Sequence, residues 1–230
     1  MKFNDEEAED ISEDTVGFPT VDKDDFRTVG LYGPLNDKKA AGIVYSMMHL
    51  RFTGEEIKYK LTDEQEAALK EAEAAGNEEF DIKEDEIEKE TIFKPFEFLI
   101  STPGGVAVEM LAIYDTMRSI REKMEIHTFG LGKVMSAGVP LLAAGTKGKR
   151  RIGANTRVMI HSVNGGAMGA MHDIENEVLE IQFMQKQYVE ILHKESKMTI
   201  KQIEKLLNTK TNNYLSAEEA VKYGIADIIV

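Results

Sequence analysis

The stretch GLGKVMSAGVPLLAAGTKGKR, residues 130–150, joins a short strand that ends on glycines to a helix of small residues. Ser136 lies at the junction between the two. A serine at this position can cap the helix, and most serines at helix starts do no more than that. It can also be a nucleophile, because the free N–H groups and the dipole of a helix start favour negative charge on a nearby oxygen. The stretch alone leaves both interpretations open.

The sequence before this stretch repeats the same order of strand and helix. RTVGLYG (27–33) predicts a strand, and Asn36 can cap the helix that follows it. FEFLIS (96–101) predicts a second strand, which leads through TPGG into another helix, and EIHTFG (125–130) leads into the Ser136 segment. Repeated units of this kind predict an α/β fold with helices on the faces of the sheet.

The sequence after residue 150 predicts two more strands, RRIGA and TRVMIH, and then a long helix from about Ala170 to Ser196. Two shorter helices follow it. Each begins with a capping-box pair, Thr199 with Gln202 and Ser216 with Glu219.

Composition excludes several classes of protein. The chain has 41 acidic and 28 basic residues, so its net charge of −13 repels phosphate backbones and argues against a nucleic-acid partner. It has no cysteine, which excludes disulfides and thiol catalysis and suits a reducing compartment. The acidic N-terminus does not resemble a signal peptide, and no apolar run is long enough for a membrane span. We therefore expect a cytoplasmic protein with no membrane association.

Two acidic regions differ from the rest of a chain that we interpret as one domain, residues 1–230. Residues 1 to about 25 contain few large apolar side chains and are typical of a mobile arm or of a segment that is ordered only by a partner. Residues from about 54 to 92 are rich in Glu and Lys and read as an insertion. Within the insertion, a surface helix is predicted to begin at Thr62 and to end at Gly76.

A serine hydrolase also needs a base and donors for an oxyanion, and both have candidates. Among the five histidines, His161 ends the apolar run RVMI and precedes SVNGG, so it lies at a strand end beside a flexible loop. The turn STPGG (101–105) follows a strand, and its glycines let the backbone approach a ligand closely. An ordinary strand-to-helix turn explains STPGG equally well.

Four spaced blocks together carry a resemblance to a known family. They are FLISTPGGVAVEMLAIYDTMRSI (98–120), GLGKVMSAGVPLLAAGTKGKR (130–150), NTRVMIHSVNGGAMGAMHDIE (155–175) and YLSAEEAVKYGIADII (214–229). They resemble the ClpP family, the proteolytic subunits of the ATP-dependent Clp proteases, and the resemblance covers roughly residues 28–50 and 94–230. It implies a ClpP/crotonase-like α/β fold of repeated β-β-α units with a long handle helix.

The resemblance implies a serine endopeptidase that hydrolyses unfolded or extended polypeptides inside a ring assembly. Ser136 is then the nucleophile and His161 the base. The N–H groups of Gly105 and Ala137 are the implied oxyanion donors.

The same resemblance implies the binding partners. Gly104, Gly165 and Gly166 fall where the family binds substrate, the last two beside a substrate paired as an added β-strand. A homo-oligomer is implied, either a heptameric ring or a tetradecamer of two rings, and an AAA+ unfoldase is a candidate partner. We expect no cofactor and no metal site.

One departure from the family pattern concerns the residue that orients the histidine. The family has an Asp that orients the histidine, and counting back from Ser216 its place is taken by Asn208. An amide oxygen can accept from the histidine Nδ1–H, but it cannot offset the charge of an imidazolium, so slower catalysis is expected. If Asn208 does not serve, Asp173 and Asp227 are the acidic candidates.

Two other functions stay open on the sequence. One is a catalytically weak or inactive ClpP-like subunit that acts as a structural or regulatory ring member, and Asn208 is the reason to consider it. The other is a crotonase-like acyl-CoA enzyme of the same broad fold, which would not need His161.

Overall fold

The computed structural model describes residues 26–74, 88–208 and 212–230. The predicted acidic arm and the predicted helix end at Gly76 lie outside the described residues. The insertion is described only at its two ends, residues 54–74 and 88–92.

Seven helices lie in the described ranges. They are α1 (Asp37–Thr53), α2 (Asp63–Ala74), α3 (Ala107–Arg121), α4 (Gly138–Ala143), α5 (Met171–Glu195), α6 (Ile200–Leu207) and α7 (Ala217–Lys222). Their starts follow the predicted caps. Asn36 accepts from the Lys39 N–H at 3.0 Å at the start of α1, and both predicted capping boxes are present at α6 and α7.

Nine strands lie in the same ranges. They are β1 (Thr28–Tyr32), β2 (Glu55–Lys60), β3 (Glu88–Phe93), β4 (Phe96–Thr102), β5 (Ile126–Met135), β6 (Arg151–Ile152), β7 (Arg157–Ile160), β8 (Asn213–Leu215) and β9 (Ile228–Ile229). Seven of them form one sheet in the order β1-β4-β5-β6-β9, with β7 beside β5 and β8 beside β7. All pairs in this sheet are parallel except β7 with β8. The α/β fold predicted from the repeated units is therefore confirmed.

Strand β5 is long enough to pair with two different strands along the same edge. Its first half pairs with β6 at Phe129 and Gly130, and its last three residues, from Lys133, pair with β7. This arrangement brings the ends of β5 and β7 side by side, because Met135 lies opposite Met159. The segments that follow these two strands therefore start next to each other.

The core lies between the sheet and the helices. Along β4 alternate side chains are buried and half-buried, which is the period of a strand with one fully covered face. Phe98 and Ile100 are completely buried there, and Ile113 and Met117 of α3 are buried as well. Helices α1 and α3 pack against each other, as expected for successive right-handed crossovers that cover the same face.

The insertion contains a feature that the sequence did not predict. Strands β2 and β3 pair antiparallel, from Glu55 opposite Phe93 to Lys60 opposite Glu88. The predicted surface helix between them is present as α2, and its start is held by Thr62 and Gln65. The insertion therefore leaves the main domain as a two-stranded ribbon.

Candidate active site

Ser136 occupies a strained turn between β5 and α4. Its φ is +51°, a left-handed conformation that residues other than glycine rarely adopt. The turn is held because the Ser136 N–H donates to the Met159 carbonyl at 2.8 Å. The N-cap of α4 is Ala137, and no side chain caps this helix. Ser136 is therefore not a capping serine, and its conformation needs another explanation.

The turn after β4 is fixed against Ser136. The buried Thr102 hydroxyl donates to the Gly33 carbonyl at 2.7 Å and accepts from the Gly104 N–H at 3.0 Å. Gly104 has a φ of +100°, and a Cβ added there would lie 2.6 Å from Ser136 Cβ and 3.1 Å from its Oγ. Glycine is required at this position because the backbone lies directly against the serine side chain.

Gly105 is held by Leu35 on its other side. The Leu35 N–H donates to the Gly104 carbonyl at 2.8 Å, and the Val106 N–H donates to the Leu35 carbonyl at 3.1 Å. A Cβ on Gly105 would lie 2.0 Å from the Leu35 oxygen. Within the described residues, the N–H groups of Gly105 and Ala137 donate to no other group. Two unpaired donors are therefore available at the cavity that contains Ser136.

His161 is the first residue after β7 and is half-buried. Burial lowers the pKa of His161, and contact with the Ser162 backbone offsets only part of this effect. The ring is thus neutral at neutral pH, which is the state that a general base needs. In the part of the chain that the structure describes, no hydrogen bond joins this ring to the Ser136 hydroxyl, and such bonds often tighten only when substrate binds.

Ser136 and His161 line one cavity of about 450 Å³. Gly105 and Ala137 line it too, together with residues around the start of α3, in the segment after β7 and on one face of α5. These further residues are Pro103, Val106, Ala107, Val108, Met110, Val163, Asn164, Gly165, Glu177, Ile181, Met184 and Tyr188. A cavity of this size and mostly apolar lining is typical of a ligand-binding site.

A family model described as Clp protease matches residues 86–230, which is more than half of the chain. The chain belongs to the Clp protease family. The match covers Ser136, His161 and Asn208, the whole cavity lining and the long helix α5. The resemblance inferred from the four sequence blocks is therefore confirmed, and the α/β fold with its mostly parallel sheet is that of a ClpP-like peptidase.

The three glycines predicted to bind substrate lie in different surroundings within this Clp family domain. Gly104 packs on Ser136, and Gly165 lines the cavity, where an added Cβ would lie 2.3 Å from Ile181 Cδ1. Gly166 does not line the cavity and has open space where a side chain would be. Residues 161–170, all of which are described, form no strand in the isolated chain.

Asn208 lies apart from the cavity of the Clp family domain. It ends α6, where its N–H donates to the Glu204 carbonyl at 2.8 Å. It lines a second cavity, of about 380 Å³, with Gln185 and Val189 of α5. No hydrogen bond joins Asn208 to His161 within the described ranges. The role of Asn208 as the orienting residue therefore stays a prediction.

The chain nevertheless connects the two regions. The Ser162 hydroxyl, one residue after His161, donates to the Leu207 carbonyl at 2.6 Å. The Val163 N–H donates to the Gln185 side chain at 2.7 Å. These two bonds hold the segment that follows His161 against the end of α6 and against α5.

The two acidic alternatives are engaged elsewhere. Asp227 forms a salt bridge with Arg150 at 2.5 Å, and Asp173 lies 3.3 Å from His172. Neither aspartate lines the cavity that contains Ser136.

Tyr188 is a residue of this site that the sequence did not identify. Its side chain is buried in the cavity wall, and its hydroxyl donates to the Ser136 carbonyl at 3.3 Å. Burial raises the pKa of Tyr188, so the hydroxyl stays protonated and can donate. A buried tyrosine on a helix normally finds a partner for its hydroxyl, but sequence spacing does not show which one.

The described residues contain neither a metal-binding cluster nor a membrane-spanning helix. No group of three or more His, Asp or Glu side chains there lies close enough to hold a metal ion. None of the described helices has the length and apolarity that crossing a membrane requires.

Proposed function

We propose that this ClpP-like peptidase is a serine endopeptidase that cleaves extended polypeptides, with Ser136 as nucleophile and His161 as general base. The observation that carries the proposal is one cavity that contains a serine at φ +51°, a half-buried histidine and two unpaired backbone N–H donors. A strained serine beside unpaired donors is costly to maintain in a fold, and catalysis gives a reason for it.

The proposed reaction follows from these positions. His161 takes the proton of the Ser136 hydroxyl while Oγ attacks the peptide carbonyl carbon. The carbonyl oxygen becomes negative and accepts hydrogen bonds from the N–H groups of Gly105 and Ala137, and one such donor contributes about 10²–10³ in rate in comparable enzymes. His161 then gives its proton to the leaving amine, and water hydrolyses the acyl-enzyme with the same histidine as base.

Asn208 has a weaker role in this proposal than an aspartate would have. Its amide oxygen accepts the Nδ1–H of His161 and holds the useful tautomer once the segment after β7 has adjusted. It supplies no negative charge opposite the imidazolium. Catalysis is therefore slower than with a carboxylate at this position.

Assembly into a ring is part of the proposal. The side chains of Met171, Val178, Leu179 and Phe183 on α5 are exposed apolar groups, between 45% and 72% accessible in the isolated chain. Burial of such groups between subunits favours assembly, and we propose a heptamer, single or stacked as a tetradecamer. Polypeptide substrates and an AAA+ unfoldase are the proposed partners, and the ribbon of the insertion alters the surface that an unfoldase would meet.

Active-site labelling and two variants test the catalytic proposal. A serine-reactive phosphonate is expected to label Ser136, and Ser136→Ala and His161→Ala each abolish peptide hydrolysis. The double variant loses no more activity than either single one, because residues that act as a unit are not additive. Peptide hydrolysis that survives in Ser136→Ala, or losses that multiply in the double variant, would contradict the proposal.

A second candidate function is a weak or inactive subunit that serves as a structural or regulatory ring member. The separation of Asn208 from the Ser136 cavity favours it. A chain that forms rings in analytical ultracentrifugation but is not labelled at Ser136 would support this candidate over the endopeptidase.

A further inference from the structure

One face of α5 forms a continuous wall of the Ser136 cavity. Tyr188, Met184, Ile181 and Glu177 all line the cavity, and their spacings of four, three and four residues are those of one helix face. Tyr188 is next to Ser136, since its hydroxyl contacts the Ser136 carbonyl. The first three residues of the wall, counted from Tyr188, are apolar or aromatic, and the fourth, Glu177, carries a carboxylate.

Glu177 is exposed, and no contact uses its charge. In the described part of the chain, it forms no salt bridge and no hydrogen bond. It is also the one acidic side chain among the described residues that line this cavity, and no lysine or arginine lines it. A ligand that reaches this end of the cavity therefore meets an uncompensated negative charge.

The helix sets the distance between the two ends of the wall. Glu177 and Tyr188 are eleven positions apart, and at a rise of about 1.5 Å per residue this separation spans about 16.5 Å. An extended peptide advances about 3.3 Å per residue, so the same span corresponds to about five residues. Gly165 lies directly against Ile181 halfway along the wall, and a Cβ there would lie 2.3 Å from Ile181 Cδ1, so only glycine lets this segment approach the helix so closely.

We propose that Glu177 is a specificity-determining residue that selects a lysine or arginine four to six residues away from the peptide bond that is cleaved. The alkyl part of the cationic side chain packs along Ile181, and its charged end lies beside the Glu177 carboxylate. An acidic residue at the same substrate position is repelled. The inference rests on the proposed endopeptidase function and adds the class of substrate.

A lysine scan of one peptide tests the inference. A neutral peptide with one cleavage site receives a single lysine at each position up to seven residues from that site, on both sides. We expect kcat/KM to rise about two- to fivefold at one position four to six residues away, the range for an exposed ion pair. The rise disappears in Glu177→Gln and shrinks at high salt, because salt screens exposed charges.

Two further variants make the scan specific. Glu180→Gln removes the same charge from the same helix at an exposed position that does not line the cavity, and it retains the lysine preference. Glu177→Lys reverses the preference, so that glutamate at the selected substrate position is favoured. A lysine preference that persists in Glu177→Gln, or that lies next to the cleaved bond, would overturn the inference.

A binding measurement separates this inference from the proposed function. If the parent protein cleaves no peptide of the set, the endopeptidase proposal fails. Binding of fluorescent peptides to Ser136→Ala still tests Glu177. There the lysine peptide binds about two- to fivefold tighter than its norleucine counterpart, and Ser136→Ala combined with Glu177→Gln loses the difference. Equal binding of the two peptides to Ser136→Ala would refute the role of Glu177.

Discussion

The two ends of α5 are held in different ways. From Tyr188 to Glu195 the helix packs into the domain, and most side chains there are buried. From Met171 to Phe183 all side chains are exposed except Ile174 and Ile181, which are half-buried. The helix spans about 37 Å in 25 residues, so about half of it projects from the core that stabilises it. The buried end secures the fold, and the projecting end is the surface that we propose for substrate and for other subunits.

A buried carboxylate anchors the inner end. The Glu195 side chain is 1% exposed, and it bonds Arg121 at 3.1 Å and the Tyr114 hydroxyl at 3.0 Å. Its carbonyl accepts from Arg150 at 2.7 Å, which satisfies the helix C-terminus. Burial raises the pKa of Glu195, but the hydrogen bonds and charge of Arg121, with Tyr114 and Lys147, outweigh burial and hold it below its usual value.

The largest effect is expected from breaking this anchor. Glu195→Ala leaves the Arg121 guanidinium, which is only 16% exposed, without its carboxylate partner, and breaking a buried ion pair from one side costs about 3–5 kcal/mol of the free energy of unfolding. Urea denaturation at pH 7 measures the loss. As a control, Glu190→Gln removes an exposed charge that pairs with Lys186 at 3.8 Å, and it costs less than about 1 kcal/mol.

The pH dependence of this effect has a definite sign. Because the folded pKa of Glu195 is depressed, its contribution to stability is present above the unfolded pKa of about 4.3 and is lost as pH falls through the folded pKa. The gap in unfolding free energy between the parent and Glu195→Ala therefore narrows in acid. A gap that is small at pH 7, or that widens in acid, would mean that this carboxylate does not anchor the helix.

A substitution in the projecting end of α5 is expected to leave the stability of the isolated chain almost unchanged and to weaken assembly. Phe183→Asp changes a side chain that is 52% exposed, so the unfolding free energy of the isolated chain changes by about 0.5 kcal/mol or less. Assembly becomes weaker because the new charge would be buried between subunits. Analytical ultracentrifugation is expected to give a ring for the parent and smaller species for Phe183→Asp. A parent that is a stable monomer at micromolar concentration would contradict the ring.

Substitutions of Asn208 test whether its cavity and the Ser136 cavity, which both lie beside the inner end of α5, are two parts of one site. Asn208→Asp is expected to raise the plateau of kcat/KM about fivefold, since a hydrogen bond to a charged group is worth about 1 kcal/mol more than a neutral one. Asn208→Ala lowers it. Identical rates in the parent and both variants would show that Asn208, in its own cavity, does not act on His161.

The pH profile distinguishes a direct effect of Asn208 from a structural one. Burial lowers the pKa of His161, so the acid limb of kcat/KM in the parent lies below the usual histidine value of about 6.5. A carboxylate nearby raises that pKa, and the limb moves to higher pH in Asn208→Asp. A variant that only disturbed packing would lower the plateau without moving the limb.

Local sequence signals predicted much of this molecule. The limits of α5 agree with the sequence within one residue, because its apolar spacing is long and regular. Thr199 and Ser216 fixed the starts of α6 and α7 through capping boxes. The sequence also predicted that Ser136 lies between a strand and a helix. These are contacts within a few residues of each other.

Contacts between distant residues were not predictable in the same way. Glu195 meets Arg121 across 74 positions and Tyr188 meets Ser136 across 52, and no spacing rule pairs them. Strand β2 was missed because charged residues dominate it and almost all its side chains are exposed, so it lacks the alternation that marks a half-buried strand. The separate cavity of Asn208 depends on the packing of α6 against α5.

Tyr188 belongs to the buried end of α5 and contacts Ser136, the proposed nucleophile, and removing its hydroxyl should give the smallest change in activity. Tyr188→Phe keeps the ring in the cavity wall but loses the bond to the Ser136 carbonyl, which still accepts from the Val139 N–H at 3.0 Å. We expect a loss of about 0.5–1.5 kcal/mol in unfolding free energy, the net worth of one neutral hydrogen bond.

If the hydroxyl also positions Ser136, kcat falls about two- to fivefold while KM is unchanged, because the loop that carries the proposed nucleophile becomes less well fixed. Tyr188→Leu, which also shortens the wall, raises KM as well. Steady-state kinetics of the two variants separate positioning from packing, and an unchanged kcat in Tyr188→Phe would restrict this tyrosine to the cavity wall.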